Sequence, residues 1–300
     1  MKTLRAILLC LIAAWSLGAT AQVSPLGAKA YAQVPPLGAN ADTTKIFHGH
    51  LADEQTSTYM VALLKEGREF PGGFMCGASI IANDWVLTAA HCLYDEKCIQ
   101  KIDPKSLYAI GGTVPLKPWL PRMNATVVLV HPDFKCMPFD EMIATVKAGN
   151  PIPMGNDIGL VRVDGVRVPY PALLLATDDP ATNEPLVASG WGSLGNVGAM
   201  SSRLNSVDLE TIPMSQCAQA WLPSKLSPDQ LCVKPPTPTA GICSGDSGGP
   251  LVATVGSNRV QAGIVSLGPL VCKIVDRPSL FTNVFSHRQW IEQNVGAANR

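Results

Sequence analysis

Apolar and polar positions divide the chain into a short leader and a long remainder of brief apolar runs. The leader has Lys2 and Arg5, then an apolar run over residues 6–17, then small residues at 19–21. A basic start, a short apolar stretch and a small-residue site are typical of a secretory signal peptide. The alternative, a membrane anchor, is disfavoured because the run is too short to span a bilayer comfortably. We predict that residues 1–21 are removed and that the mature protein is extracellular, or periplasmic in a bacterium.

A tandem repeat follows this leader. Residues 21–28 read AQVSPLGA and residues 32–39 read AQVPPLGA. Two proline-rich copies are too few to stack into a solenoid, and AYA at residues 30–32 is a second small-residue cleavage site. We predict that residues 22–45 are a flexible pro-segment and that residues 46–300 form the functional domain.

After residue 45 the apolar runs are short, as at residues 85–87 and 158–161. Glycine (26 residues) and proline (25 residues) are frequent, and aromatic residues make up 6%. This composition is typical of many short strands joined by turns, so we predict an all-β fold. The 300 residues, 47% of them hydrophobic, suffice for a large core in one or two domains. Basic and acidic residues balance at 23 each, so no net field favours nucleic acid or an anionic membrane as a partner.

The segment at residues 245–250 reads GDSGGP and presents Ser247 as a candidate nucleophile. A serine hydroxyl attacks only when a base lies within hydrogen-bond reach and donors await the oxyanion. The flanking glycines let the backbone bend so that the amides of Gly245 and Ser247 point at one spot. The alternative is a glycine-rich turn without chemistry.

The candidate base is His91, in the segment TAAHC that follows the apolar run at residues 85–87. The candidate carboxylate is Asp157, at the head of the apolar run that begins at Ile158. A buried carboxylate fixes the imidazole tautomer and stabilises the imidazolium. An exposed aspartate in a turn is the alternative, and it is disfavoured because the residue enters an apolar run. The other histidines are predicted to be structural or solvated: His48, His50, His131 and His287.

With these three motifs the chain resembles a chymotrypsin-like, trypsin-fold serine protease. The order His91, Asp157, Ser247 agrees, SGWG at residues 189–192 resembles a conserved strand segment of the family, and residues 286–291 resemble its closing helix. The resemblance covers nearly everything after Lys45. It implies two antiparallel six-stranded β-barrels with a C-terminal helix, a boundary near residue 165 and the triad at their junction. Ser286 and Gln289 have capping-box spacing at the helix start.

The resemblance also implies roles for the site residues. His91 moves the proton of Ser247, Asp157 orients the ring, and the amides of Gly245 and Ser247 hold the oxyanion. The strand Ser266, Leu267, Gly268 pairs with the substrate backbone, although Leu267 stands where the family commonly has tryptophan, and Ser266 bonds Asp157. The implied partners are protein or peptide substrates and protein inhibitors, and we expect a monomer. No metal or cofactor is implied, because residues 110–122, where calcium-binding members carry acids, contain none.

The bond between Lys45 and Ile46 is the activation site that the resemblance implies. In this family, cleavage frees an amino group that folds inward and pairs with the acid beside the nucleophile, here Asp246. Residues 46–49 read IFHG, which departs from the usual pair of glycines after the first two residues. A buried pair of this kind can act as a switch between two arrangements.

The expected substrate specificity depends on the lack of an acidic residue in the predicted pocket. Trypsin-like members carry an aspartate six residues before the nucleophile, where this chain has Gly241. With Ile242, Gly268 and Ser279 the pocket is predicted to be apolar and shallow, so we expect a small or medium apolar residue before the scissile bond. Such an enzyme cuts poorly after Lys45, which implies activation by a different, basic-specific protease.

Nine cysteines are present, and Cys10 leaves with the leader. An even set of eight in a secreted protein predicts four disulfides. The resemblance implies Cys76 with Cys92, Cys217 with Cys232 and Cys243 with Cys272, which leaves Cys98 and Cys136. A bond between these two has two interpretations: a narrowed cleft that selects extended substrates, or a staple that holds a long insertion still.

Two further classes of function compete with a protease. One is a non-catalytic binding or defence protein on a protease scaffold, which is disfavoured because all three triad residues are kept. A related alternative is an enzyme that its altered Phe47-His48 terminus holds as a precursor and that is active only with a partner. The other is an esterase, but the strand-to-helix elbow of that fold is missing around Ser247. Asn124 begins a glycosylation sequon, which matters only in a host with that machinery.

Overall fold

The computed structural model describes residues 49–53, 57–112, 116, 120–164, 172–193, 200–237, 240–269 and 277–297. The predicted signal peptide, the pro-segment, the bond between Lys45 and Ile46, and Cys272 lie outside the described residues. The strands are β1 (His50–Leu51), β2 (Met60–Lys65), β3 (Phe74–Ala82), β4 (Trp85–Thr88), β5 (Leu107–Gly111), β6 (Met123–Val130), β7 (Gly159–Val163), β8 (Leu174–Leu175), β9 (Pro185–Gly190), β10 (Asn205–Thr211), β11 (Gln230–Lys234), β12 (Pro250–Val255), β13 (Asn258–Leu267) and β14 (Ser279–Asn283).

Six strands close the first barrel in the order β2, β3, β4, β7, β6, β5. Successive side chains of a strand point to opposite faces, and β2 shows why its run is apolar throughout. Val61 and Leu63 pack inside the barrel, whereas Met60 and Leu64 pack outside it against Trp191. Both faces of the strand are therefore buried.

The second barrel closes in the order β9, β10, β11, β14, β13, β12, with β1 and β8 added at its margins. Its interior contains Leu186, Val207, Leu251, Val265 and Phe281, all buried. The prediction of two antiparallel six-stranded barrels is confirmed. β1 pairs with β10, so the strand that precedes the first barrel belongs to the second. Residues 165–171, at the predicted boundary, lie outside the described residues, and the boundary stays a prediction.

A shared apolar layer holds the barrels together. Trp85 and Leu87 of β4 pack with Ile264 of β13 and Ile291 near the C-terminus. One buried polar contact crosses the same layer, since the Ser79 hydroxyl donates to Oε1 of Gln261 at 2.7 Å. The barrels therefore meet over a well-packed junction, and loops from both barrels converge at its edge.

Three α-helices are described: α1 (Phe139–Lys147), α2 (Met214–Ala220) and α3 (Arg288–Ala297). The predicted C-terminal helix is present, but it begins at Arg288 and not at Ser286. The predicted capping box is wrong, because the Ser286 amide donates to Oδ1 of Asn283 at 3.4 Å and not to Gln289. Over the described part of the chain, no helix has the length and apolarity needed to cross a membrane.

Candidate active site

A strand pairing brings His91 and Asp157 together. β4 is followed by a short 3-10 turn, Ala90–Leu93, that carries His91. Thr88 at the end of β4 pairs with Gly159 at the start of β7. Asp157 lies two residues before that strand, so the pairing sets its side chain beside the turn.

The Asp157 carboxylate accepts three hydrogen bonds. The backbone amide of His91 donates to Oδ1 at 2.9 Å, and ring Nδ1 of His91 lies 2.8 Å from Oδ2. An ionised carboxylate can only accept, so Nδ1 carries the proton and Nε2 is left as the basic nitrogen. The Ser266 hydroxyl donates to Oδ2 at 2.6 Å, which is the bond predicted for Ser266.

The same contacts shift both pKa values in opposite directions. Burial alone would raise the pKa of Asp157, but the charge of His91 and the hydrogen bonds hold it below its usual value. Burial alone would lower the pKa of His91, but the Asp157 charge and hydrogen bond hold it above its usual value. The arrangement therefore favours an ionised acid beside a strengthened base.

The loop that carries Ser247 is joined to both barrels. The Gly77 amide donates to the Ser247 carbonyl at 2.8 Å, and the Gly248 amide donates to the Val265 carbonyl at 2.9 Å. Gly248 has a φ of +77°, and a methyl group there would overlap the Gly77 carbonyl and the Thr88 hydroxyl. Only glycine satisfies both conditions, which fixes the turn after Ser247.

Two backbone amides near Ser247 have no acceptor among the residues that the structure describes: those of Gly245 and Ser247. Their neighbours are bonded, since the Asp246 amide donates to the Cys243 carbonyl at 3.0 Å. Unpaired amides at a cleft are costly unless water or a ligand accepts from them. These two donors are thus available for an anionic oxygen.

His91, Asp157 and Ser247 line one cleft with a volume of about 570 Å³. Within the described part of the chain, no hydrogen bond joins the Ser247 hydroxyl to the His91 ring, whose Nε2 lies 3.6 Å from Sγ of Cys92. Catalytic hydrogen bonds of this kind often tighten only when a substrate is bound. The cleft brings together the three side chains that the sequence predicted.

Ile242 occupies the space beneath Gly268. A methyl group at Gly268 would lie 3.2 Å from two carbons of Ile242 and 3.8 Å from the Ser279 hydroxyl. Ile242 and Gly268 line the cleft, whereas Ser279 stands behind them. At Gly241 a methyl group would have no described atom within 4 Å. The side chain that limits this end of the cleft is therefore aliphatic.

The insertion between His91 and Asp157 also lines the cleft. Its lining is largely apolar and comes from Phe134, Met137, Phe139, Met142, Ile152 and Met154. Met154 also packs against the same cluster as Leu267. The sequence predicted a long insertion here but named none of these residues; the three methionines and the one phenylalanine between Cys136 and Asp157 were the available signal.

Three disulfides are described: Cys76–Cys92, Cys98–Cys136 and Cys217–Cys232. Cys76–Cys92 and Cys217–Cys232 are bonds that the resemblance implies. Cys98–Cys136 joins the two cysteines for which the resemblance implies no partner. Cys243 is also disulfide-bonded, and Cys272 lies outside the described residues. Cys98 and Cys136 both line the cleft.

Asp246 is a buried carboxylate without a described cation. Its oxygens accept from the amides of Gly192, at 3.0 Å, and Cys243, at 2.8 Å. Burial raises its pKa to about 7, and the two amides offset only part of that effect. No ion pair involves Asp246 among the residues that the structure describes, so an ammonium group would satisfy it.

Comparisons with known proteins show the family. The family model described as Trypsin matches residues 46–291. Serine protease 57 of Rattus norvegicus is 31% identical over 263 residues, which are 84% of this chain and 84% of that protein. Serine protease 1 of Drosophila melanogaster is 29% identical over 264 residues, which are 84% of this chain and 86% of that protein.

A solved structure shares the fold. It is neuropsin, a serine protease expressed in the limbic system of mouse brain, with a TM-score of 0.65. At 22% identity the match covers 83% of this chain and 99% of that one. The likeness extends over both barrels.

Proposed function

The chain belongs to the trypsin family of serine proteases, and from this membership we propose that it is a secreted endopeptidase made as an inactive precursor. The observation that carries the proposal is the convergence of Asp157, His91 and Ser247 on one cleft, with the 2.8 Å contact between Asp157 and His91. The family acts on proteins, so protein or peptide substrates follow.

The proposed reaction is acyl transfer to water through a serine ester. His91 Nε2 takes the hydroxyl proton as Ser247 Oγ attacks the scissile carbonyl carbon, and the amides of Gly245 and Ser247 donate to the oxyanion. The C–N bond breaks as His91 returns the proton to the leaving amine. A water molecule then attacks the ester by the same route and frees the acid and Ser247. Asp157 keeps the ring in place throughout.

We test this with a fluorophosphonate probe, which labels an activated serine. The signal-free protein is labelled before and after limited trypsin cleavage, with Ser247→Ala as the control. Labelling that appears only after cleavage at Lys45, and never in the variant, supports a precursor with a working triad. If neither form is labelled, the proposal is wrong and the chain is a binding protein on a protease scaffold.

The pocket supports a preference for small or medium apolar residues before the scissile bond, because Ile242 fills the space beneath Gly268. We expect Ile242→Ala to raise kcat/KM for a phenylalanine substrate relative to an alanine substrate by about 10- to 100-fold. Ile212→Ala, which removes the same atoms outside the cleft, is the control. Equal ratios in parent, variant and control would contradict this assignment of the pocket.

The apolar side chains of the insertion between His91 and Asp157 support a preference for extended substrates. The Cys98–Cys136 bond, whose two cysteines line the cleft, holds this insertion in place. The bond spans 38 residues, and chain-entropy arguments give it about 4 kcal/mol as an upper value. We expect the double variant Cys98→Ser, Cys136→Ser to unfold at lower urea. We also expect its kcat/KM for apolar hexapeptides to fall about tenfold relative to that for single-residue amides. Lower stability with an unchanged ratio would leave only the staple interpretation.

Secretion, removal of residues 1–21 and the role of residues 22–45 complete the proposal. Disulfides are typical of oxidising compartments, which supports secretion. Activation by cleavage between Lys45 and Ile46 is supported by Asp246, a buried carboxylate that is suited to a new ammonium group. Gly241 supplies no acid for a basic residue, so a separate basic-specific protease would make this cut. Protein inhibitors as partners and a monomeric state are further parts of the proposal.

A further inference from the structure

A partly buried carboxylate outside the cleft contacts the loop that leads into Asp157. Asp229, just before β11, accepts from the Asn156 amide at Oδ2 over 2.6 Å. The Ser227 hydroxyl donates to its other oxygen, Oδ1. The Asp229 carbonyl accepts from the Asn283 amide at 2.8 Å, so Asp229 also contacts the end of β14.

The loop is shaped around Asp229. Gly155 and Asn156 both have positive φ, at 100° and 54°, and asparagine adopts that region at a cost. A methyl group at Gly155 would lie 2.8 Å from Oδ1 of Asp229 and even closer to Ser227. Two successive residues in the left-handed region, directly before Asp157, are thus held over one carboxylate.

His287 also contacts the Asp229 carboxylate. Its Nε2 lies 3.0 Å from Oδ2 of Asp229, and its side chain is 5% exposed. His131 stacks edge-on against His287 with ring centroids 5.1 Å apart, and it also contacts Trp290 of α3. Two of the four histidines predicted to be structural or solvated, His131 and His287, therefore belong to one packed group.

Asp229 is an obligate acceptor at neutral pH. Burial raises its pKa, but the hydrogen bonds from His287, Ser227 and Asn156 outweigh burial and lower the pKa to about 2. Three protein donors therefore hold the carboxylate, whose side chain is 13% exposed. The group is a fixed anion with a fixed geometry.

We propose that Asp229, held by His287, is a positioning residue that sets the side chain of Asp157 against His91 through the Asn156 amide. This proposal rests on the proposed function, in which Asp157 orients the base. The path is short, since Asn156 is bonded to Asp229 and the next residue is Asp157, whose carbonyl accepts from the Thr282 hydroxyl at 2.8 Å. Without Asp229, Asn156 loses the bond that keeps it at positive φ, and Asp157 moves relative to the ring.

The test is Asp229→Asn in the cleaved protein. The amide keeps the shape but carries no charge: its single oxygen can still accept from Asn156 and His287, and its NH₂ group can donate to the Ser227 hydroxyl, so both remaining bonds lose the strengthening that the anion gives them. We expect kcat to fall about 10- to 100-fold with little change in KM, because small misplacements of catalytic groups have effects of that size. Asp179→Asn is the matched control: it removes the charge of a carboxylate that accepts from the Asn283 side chain at 2.6 Å, and it should keep the parental kcat.

A second measurement separates positioning from general destabilisation. The pKa of His91 is followed by NMR in a Ser247→Ala background, where no turnover is needed. A displaced Asp157 supports the imidazolium less, so Asp229→Asn should lower the pKa of His91, and Asp179→Asn should not. The other acids lining the cleft, Asp95 and Glu96, are unchanged in every variant and cancel in the comparison.

A third variant covers the case in which Asp229→Asn does not fold. His287→Leu removes one donor and should lower both kcat and the pKa of His91, whereas His287→Gln keeps a donor and should restore much of both. Folded Asp229→Asn with parental kcat and an unchanged His91 pKa overturns the proposal. A parent chain that neither labels nor hydrolyses peptides refutes the proposed function instead, and the NMR comparison still decides the positioning role.

Discussion

We expect Ser247→Ala, in the protein cleaved after Lys45, to lower kcat for peptide hydrolysis by about 10⁶-fold. The reason is that no other group in the cleft combines a hydroxyl with the His91 base and the two unbonded amides of Gly245 and Ser247. Binding of the peptide should persist, because the substrate strand and the pocket are untouched. Initial rates on an apolar peptide, with binding followed separately by fluorescence anisotropy, measure both quantities.

The three triad residues act as a unit, so the effects of their substitutions on kcat should not be additive. His91→Ala should cost nearly as much as Ser247→Ala, and the double variant little more than either. Ser244→Ala, three residues upstream on the same loop and exposed, controls for loss of a hydroxyl and should remain near parental. Activity in Ser247→Ala above about one hundredth of the parent would point to another nucleophile.

Local chemistry made much of this site predictable. The motif around Ser247 fixes the turn because only glycine at position 248 avoids the Gly77 carbonyl. This requirement can be read from residues next to Ser247 in the sequence. His91 follows one short apolar run and Asp157 precedes another, and an antiparallel pairing places the end of the first strand beside the start of the second. The barrel fold followed from the resemblance and from short apolar runs separated by glycine and proline.

Long-range contacts were not predictable in the same way. Asp229 and His287 lie 58 residues apart in sequence, and neither has a local pattern that marks a partner. The start of α3 was misplaced because Asn283 bonds the Ser286 amide, a contact that competes with the capping box. Helix α1 lies in an insertion whose length was evident, but nothing in residues 139–147 alone required a helix at the rim of the cleft.

Asp246 shows how one buried charge connects the fold to regulation. It is 1% exposed and has two amide donors, which is too little to hold an anion comfortably at neutral pH. Its backbone lies between Gly245 and Ser247, so any movement of its side chain moves the two amides proposed for the oxyanion. A cation that arrives from a newly cut terminus can therefore stabilise the carboxylate and set those amides at once.

Cleavage after Lys45 should abolish the loss of stability with rising pH that Asp246 causes. In the uncleaved chain its pKa is about 7, against a usual 3.8. Between these values the unfolded chain has released the proton and the folded chain has kept it, so stability falls as pH rises, by on the order of 4 kcal/mol in total. Pairing with the Ile46 ammonium lowers this pKa and removes the loss. The free energy of unfolding, measured by urea in a Ser247→Ala background, should therefore fall from pH 4 to 7 only before cleavage.

Asp246→Asn tests the same pair through activity. The amide cannot hold the ammonium of Ile46, so the cleaved variant should keep its fold but lose at least about 100-fold in kcat, the cost of a disordered oxyanion site. Its stability should show little difference between cleaved and uncleaved forms at any pH.

In the cleaved parent, activity should fall at alkaline pH as the amino group deprotonates, above its unperturbed pKa of about 7.7 to 8.0, because pairing raises it. Full activity in cleaved Asp246→Asn, or a flat alkaline profile in the parent, would show that the new terminus does not act through Asp246.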